Sequence, residues 1–273
     1  MKNEIALVLC VYINDTREQF EEMFNSLEEQ TLKEFDIFVQ QDGQINKELD
    51  NYLKEKHQCG KIKYMGKRDN NRGFAYSLNE IIKYILDLNL YRYIARMDSD
   101  DICVNNRIEI QYQFLNSHPN IDVCGGWIEE FNTDDDSIQI IQYPKDNNSI
   151  IKHLKKRNPI AHVTTFFRVE FFYKVGFYDS SKLNEDFDLW IRALDENMQF
   201  YNIQAVLVRV RTNNAFFNRR KNINRAFEVM KLKFKSTKLF NFGIIGYIYA
   251  VFHFILFMSP GWFKYIIYKN LRK

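Results

Sequence analysis

Three aspartates fall within four residues in the stretch "ARMDSDDI", at Asp98, Asp100 and Asp101, directly behind the apolar run "YRYI". Adjacent carboxylates repel one another, and such a group is tolerable when it is solvated or when a cation lies among them. A hard divalent ion, Mg2+ or Mn2+, suits the site, because these ions take one or two carboxylates and fill their remaining positions with water and substrate phosphate oxygens. The chemistry implied is stabilisation of a phosphate-bearing leaving group. The plain structural alternative is an Asp-rich turn in which Asp101 or Asn105 caps a following helix. A second acidic group, Glu185, Asp186 and Asp188, stands in "NEDFDLWIRA". There Asp186 and Trp190 are spaced i, i+4, which on a helix sets an indole beside a carboxylate, a face suited to a sugar. Trp190 as a core residue is the competing expectation. Asp188 and Arg192, also i, i+4, are expected to form an exposed ion pair of small value.

The elements that must position these groups follow a β/α alternation. Ile5 to Val11 is a continuous apolar run, and Phe20, Met23, Phe24 and Leu27 recur at helical spacing within Glu18 to Glu29. Strands are expected at Phe35 to Gln40, Lys61 to Tyr64 and Tyr91 to Met97, with a helix from Phe74 to Leu86. This alternation predicts an α/β fold with a mostly parallel central sheet covered on both faces. Ligands of such sheets bind outside the carboxyl ends of the strands. Tyr12 to Asp15, Gln41 to Gly43 and Asp98 to Asp101 all lie at those ends, so they are expected to meet. Farther on the pattern is mixed, with strands at Val123 to Trp127, Ile138 to Tyr143, Thr164 to Val169 and Ala205 to Val210, and a helix near Asp186 to Glu196.

The chain has 273 residues and a net charge of +3, too small to argue for nucleic acid binding. Its four cysteines, Cys10, Cys59, Cys103 and Cys124, show no CxxC spacing and read as reduced thiols of a cytosolic protein. The first apolar run is too short, with Asp15 behind it, to be a signal peptide.

In order along the chain, "LVLCVYIND", "FVQQDGQ", "NNRGFAYSLNEII", "YIARMDSDDICVNNRIEIQ", "NPIAHVTTFFR", "NEDFDLWIRA" and "VRVRTNN" resemble glycosyltransferase family 2. These are inverting nucleotide-sugar enzymes of the GT-A type, a Rossmann-like nucleotide-diphospho-sugar transferase fold. The likeness is greatest to the branch that builds bacterial surface polysaccharides and O-antigen. The resemblance implies donor contacts at Tyr12, Asp42, Arg72, Asp98, Asp100 and Arg211, with Asp42 against the base and Arg72 near base or diphosphate. It implies Mn2+ or Mg2+ on Asp100, with Asp98 beside it, and Asp186 as the base that deprotonates the acceptor hydroxyl. Asp101 is assigned to capping or support of the metal ligands. The resemblance sets His162 against the donor or the acceptor pocket, the acceptor side being favoured, although a lone histidine before an apolar strand is more often an ordinary structural residue. Arg168 is open between the same two uses, as is Asn79 between a diphosphate contact and an ordinary surface position.

Two positions depart from the family pattern. Arg211 stands where relatives carry a histidine able to approach the metal; a guanidinium ligates no cation but can reach phosphate oxygens. The first motif lacks the usual proline, with Cys10 and Val11 in that region. The activity implied is transfer of a hexosyl or N-acetylhexosaminyl group, with inversion, from a UDP-sugar to a saccharide acceptor carried on a lipid. The alternatives are a nucleotidyltransferase that makes the activated sugar, disfavoured by the lack of glycine after the first strand, and a catalytically silent nucleotide- or glycan-binding module.

Residues 1–220 are expected to form the catalytic domain and 221–273 a basic and apolar helical C-terminal region that associates with the cytoplasmic face of the cell membrane. Phe242 to Met258 is apolar on every side apart from His253. It falls short of the roughly 20 residues a spanning helix prefers, which favours an interfacial or re-entrant placement over a full crossing. Lys231, Lys233, Lys235 and Lys238 precede it, while Lys264, Lys269, Arg272 and Lys273 follow, with Trp262, Tyr265 and Tyr268 interleaved. Bases attract anionic headgroups and such aromatics favour the interface. A helix buried in the globular core is the competing expectation.

Overall fold

The computed structural model describes residues 3–213 and 223–259. The elements are β1 (Ile5–Val11), α1 (Arg17–Glu28), β2 (Phe35–Gln41), α2 (Lys47–Gln58), β3 (Tyr64–Lys67), α3 (Phe74–Leu88), β4 (Tyr93–Arg96), β5 (Ile102–Cys103), α4 (Arg107–Ser117), β6 (Val123–Asn132), β7 (Ile138–Ile141), α5 (Asn147–Leu154), β8 (Phe166–Arg168), α6 (Glu170–Val175), α7 (Glu185–Asp195), β9 (Phe200–Thr212), α8 (Ile223–Leu239) and α9 (Gly243–Met258). A short 3-10 turn, His162–Thr164, precedes β8.

The strands form one sheet in the order β3-β2-β1-β4-β8-β6-β9-β5, with β7 beside β6. Pairing is parallel from β3 through β4. It turns antiparallel at β8 and is mixed beyond, where β6 and β9 run parallel. Seven consecutive buried residues make β1 the central strand. The chain winds to β2 and β3 on one side of it and only then crosses to β4 on the other. The order therefore reverses between β1 and β4, and a crevice opens at their carboxyl ends.

Each face of the sheet has its own core. On one, Phe20, Met23, Phe24 and Leu27 of α1 join Leu49, Tyr52 and Leu53 of α2 and the odd-numbered apolar residues of β1. On the other, Leu78, Ile81, Ile82 and Ile85 of α3 join Phe167, Phe171, Phe172, Trp190 and Leu232. The alternation of β1 side chains between the two sets follows from the two-residue repeat of a strand.

Helices α5 and α6 and the two-residue β5 have no counterpart in the sequence pattern, and three other elements differ from it. Helix α2 is hidden in it, because its apolar stripe is only Leu49, Tyr52 and Leu53 among charged residues. Strand β3 starts at Tyr64 rather than Lys61, because the amides of Lys61 and Ile62 still bond back to Lys56 O. Strand β9 runs well past both ends of Ala205–Val210, since β6 offers it a partner along ten residues.

The C-terminal pair packs on the catalytic sheet through α8, which buries Ala226, Leu232, Lys233, Ser236 and Thr237. Helix α9 lies against α8, with Gly246 so close to Thr237 that a Cβ there would fall 2.4 Å from its hydroxyl. Only Gly246 and Ala250 of α9 are buried, whereas Ile244 and Ile255 are 72% and 60% exposed. The core-helix expectation therefore fails. Among the described residues no helix is long and apolar enough to cross a membrane. The expected domain boundary at 220, and the flanking residues Trp262, Lys264, Tyr265, Tyr268, Lys269, Arg272 and Lys273, lie outside the described residues.

Candidate active site

The ends of β1, β2 and β4 converge as their ladders predict. Asp42 N donates to Val11 O at 2.8 Å and Met97 N to Val8 O at 3.0 Å, so the residues just past β2 and β4 are drawn to the end of β1. A polar cleft of about 200 Å³ opens here, lined by Tyr12, Asn14, Asp15, Thr16, Gln19, Asp100, Arg211 and Asn213. Tyr12 stands exposed at its rim. Its amide is held by the carboxylate of Asp15 at 2.8 Å.

Asp42 lies buried at the floor of the neighbouring loop. Its carboxylate accepts hydrogen bonds from Arg72 N at 2.8 Å and Gly73 N at 2.9 Å, and pairs with the Arg68 guanidinium. With these partners Asp42 is first an organiser of residues 68–73, and the acceptor capacity left on Oδ2 is what remains for a base. Gly43 permits the crossing: its φ is +80°, and a Cβ would lie 2.8 Å from Asn71 N. Arg72 is exposed at the mouth, its guanidinium stacked 3.6 Å from the centre of the Tyr76 ring. Asn79 takes neither of its expected uses. Its side chain donates to Tyr178 O at 2.7 Å and accepts from Tyr178 N at 3.0 Å, locking α3 to the loop before α7.

The aspartate cluster is divided among three tasks. Asp98, two residues past the end of β4, is bound by both terminal nitrogens of Arg96, the last residue of that strand. Asp101 caps no helix, since α4 begins behind Asn106. It is buried and accepts the amide of Arg211 at 2.8 Å, fastening the end of β9 to the cluster. Arg211 then donates to Asp100 O at 3.1 Å and pairs with Glu22. Asp100 keeps its carboxylate on the cleft. Burial and the charge of Asp98 push its pKa up to about 6. Burial, opposed by the Tyr12 amide and reinforced by the Asp100 charge, pushes Asp15 up to about 7.

These shifts describe carboxylates short of positive charge. No group of three or more His, Cys, Asp or Glu able to hold a metal occurs among the described residues. The donor set on the cleft, Asp100 with Asp98 and Asp15 near it, fits an ion that needs only one or two protein carboxylates and completes its shell with water and phosphate.

Asp186 stands in the first turn of α7. Its Oδ2 accepts from Asn158 Nδ2 at 2.6 Å and its Oδ1 from Phe187 N at 2.7 Å. Some of its surface stays accessible. Burial nonetheless raises its pKa, against the pull of the Phe187 amide and Arg96. Glu185 is pushed up to about 7 by burial and by Asp186. Arg96 thus lies within electrostatic reach of both acidic groups.

Three expectations are corrected here. Trp190 does not face the acceptor side. It is wholly buried, stacked on Phe167 and edge-on to Phe200 and His162, so no ring face is open to a sugar. Asp188 is buried rather than exposed; Arg192 pairs with it at 2.8 Å and donates to Val175 O and Phe177 O, closing the end of α6. Lys233 is not a surface base. It is buried, donates to Lys155 O and Lys156 O, and burial lowers its pKa to about 7.

His162 bonds Tyr178 Oη at 2.8 Å through Nε2 and packs against Phe74. Burial, aided by Arg96, holds its pKa well below the usual imidazole value, so the ring is neutral. Arg168 is structural: it donates to Ile121 O, Leu115 O and His118 O, closing the end of α4. All four cysteines are free thiols. The sequence reading misses Arg96, Arg68, Asn158 and Tyr178. Only Arg96 carried a usable signal, a charge at the end of a buried strand directly before the aspartates.

Comparison with known proteins agrees with this geometry. The family profile described as glycosyl transferase family 2 matches residues 7–176. The chain is 27% identical over 272 residues to the Escherichia coli UDP-Gal:alpha-D-GlcNAc-diphosphoundecaprenol beta-1,3-galactosyltransferase, covering 98% of this chain and 96% of that one. It is 25% identical over 269 residues to the amylovoran biosynthesis glycosyltransferase AmsE of Erwinia amylovora, covering 98% and 99%. Among solved structures, the mannosyltransferase PcManGT from Pyrobaculum calidifontis, in complex with GDP-Man and Mn2+, aligns with a TM-score of 0.64 over 99% of this chain and 80% of that one. At 10% identity, that likeness establishes the GT-A fold alone. The chain belongs to glycosyl transferase family 2, in the branch of bacterial surface-polysaccharide glycosyltransferases.

Proposed function

We propose that this enzyme moves a sugar from a UDP-sugar to a saccharide carried on a membrane lipid diphosphate, with inversion at the anomeric carbon. The observation that carries the reading is the polar cleft at the carboxyl end of β1, lined by Tyr12, Asp15 and Asp100 with the Arg96–Asp98 pair two residues before Asp100, together with a separate carboxylate, Asp186, held by Asn158 in the first turn of α7. Tyr12, Asp42 and Arg72 take the nucleotide, and Arg211 approaches the diphosphate. Asp98 and Asp100 hold Mn2+ or Mg2+. When bound, the ion offsets charge that develops on the departing UDP. Asp186 removes the proton of the attacking acceptor hydroxyl, its basicity favoured by burial. His162 lines the acceptor side through its bond to Tyr178. The full-length likeness to an enzyme named for UDP-Gal and a diphosphoundecaprenol acceptor supports this donor and acceptor class.

The same reading places α9 on the cytoplasmic face of the membrane. Ile244, Ile248, Val251, Phe252 and Ile255 turn an apolar face outward, and exposed Lys231, Lys235 and Lys238 on α8 add charge that suits anionic lipid. The test is a screen of UDP-galactose, UDP-glucose and UDP-N-acetylglucosamine against a short-chain GlcNAc-diphospholipid in Mn2+. Product of inverted anomeric configuration is expected. Retained configuration, or UDP-sugar synthesis from sugar phosphate, overturns the proposal. Sedimentation of the full chain with phosphatidylglycerol vesicles tests the membrane placement, and failure to sediment overturns it.

A further inference from the structure

The first turn of α7 is held from outside the catalytic sheet. Asn184, at the N-cap position, makes no capping bond with its own side chain. Helix α8 supplies the missing restraint. The Glu228 carboxylate accepts from Leu183 N at 2.9 Å, Asn184 N at 2.8 Å and Asn184 Nδ2 at 3.2 Å. Arg225 donates to Leu183 O at 2.7 Å and to Asn184 Oδ1 at 3.3 Å. One peptide unit is thus gripped on both its donor and acceptor sides, two residues before Asp186. A carboxylate at Glu228 also meets the amino end of α7, where negative charge is favoured.

Helix α8 is itself anchored outside α7, through Lys233 on the carbonyls of Lys155 and Lys156 that follow α5 and through Leu232 in the core; Lys235, 3.9 Å from Asp188, is a second contact to α7. The grip therefore has a base that does not depend on α7. Asp186 is bonded on its other side by Asn158. Its side chain is held by Asn158 from the loop after α5 and by the amide of Phe187, while α8 holds the peptide from which its backbone starts.

We propose that Glu228 is a positioning residue for the transfer reaction, fixing Asp186 through the Leu183–Asn184 peptide. The inference rests on the reading of Asp186 as the base. It makes α8 part of the catalytic device, because an angular error at the start of α7 is transmitted directly to the side chain that must meet the acceptor hydroxyl. Misplacement of a reacting group by about 1 Å costs on the order of 10²-fold in rate. The charged and titratable groups facing Asp186 are Arg96 from β4, Glu185 from α7, Tyr178 from the preceding loop and Arg225 from α8. Glu228 acts on it through geometry.

The test uses the full chain with UDP-galactose and a short-chain GlcNAc-diphospholipid in Mn2+, UDP-glucose and UDP-N-acetylglucosamine being run alongside. Glu228→Ala is expected to lower kcat by about 10- to 100-fold while the KM for donor changes by less than about twofold. Glu228→Gln keeps the shape and one acceptor oxygen and should fall between; it also carries the test if the alanine variant does not fold. In an Asp186→Asn background, Glu228→Ala should add almost nothing, because residues acting through one group are not additive. Amide hydrogen exchange at Leu183 and Asn184 should rise in both Glu228 variants. Normal kcat in the Glu228 variants, or a full multiplicative loss on top of Asp186→Asn, overturns the positioning role. Near-normal kcat in Asp186→Asn alone instead overturns the base assignment, so the two failures are told apart.

Discussion

The two acidic groups look alike in sequence and are built differently. Asp98, Asp100 and Asp101 follow a strand and spread over a cleft, one paired with a buried guanidinium, one facing the cleft and one fastening β9. Glu185 and Asp186 begin a helix whose far side is core, and Asp186 is held by an asparagine amide and a backbone amide. The first arrangement leaves negative charge facing a space, which suits a cation. The second holds one carboxylate still amid neutral donors, which suits receipt of a proton. Acidity in a motif therefore says little until its partners are known.

The sharpest test of this contrast is Asp186→Asn, which keeps shape and removes the proton acceptor. Transfer should fall by about 10²–10⁴-fold in kcat while UDP affinity measured by calorimetry is unchanged. Asp100→Ala should cost about 10²–10³-fold in turnover and also abolish the Mn2+ dependence of UDP binding. If the two variants show the same binding behaviour, the division of labour is wrong.

The packed wall behind Asp186 gives a third test. Trp190→Ala should destabilise the fold by about 3–5 kcal/mol, read as denaturation midpoints. Trp190→Phe should cost much less and leave the KM for acceptor unaltered, partly because the indole N–H is buried without a partner. A raised acceptor KM in the phenylalanine variant would return Trp190 to the sugar.

A smaller effect separates the clusters by pH. With pKa values raised to about 7 and about 6, Asp15 and Asp100 keep protons in the folded state that the unfolded chain releases near pH 4. Between those limits the folded state binds more protons, so their contribution to stability falls as pH rises from about 4 to 7. Mn2+ with UDP should therefore raise Tm more at pH 8 than at pH 5. An equal gain at both values would detach the shifts from the cation site.

The parallel half of the sheet was readable because β1 is an unbroken apolar run and β4 a short, wholly buried strand, each leading into polar residues, and the turn chemistry at Gly43 and Gly73 fits the expected loops. The motif residues Asp42, Asp98, Asp100 and Asp186 were singled out by their order along the chain and the family resemblance, and the structure sets the first three behind β2 and β4 and the last in the first turn of α7. What remained hidden depends on distant pairing. Asp101 to Arg211, Asn158 to Asp186 and Glu228 to Asn184 join residues 110, 28 and 44 positions apart, and no local period encodes them. Trp190 and Lys233 misled for a related reason: spacing gives the face of a helix but not what covers it.

The proposed placement of the outward face of α9 on a bilayer carries a kinetic consequence. An enzyme lying along a bilayer meets its acceptor in two dimensions, so the concentration that governs turnover is the acceptor's mole fraction in the surface, an effective concentration set by confinement. Diluting the acceptor with inert phospholipid at constant bulk amount should then slow transfer, and adding more vesicles of the same composition should not. Ile248→Ser with Phe252→Ser should convert this surface dilution behaviour into ordinary dependence on bulk concentration.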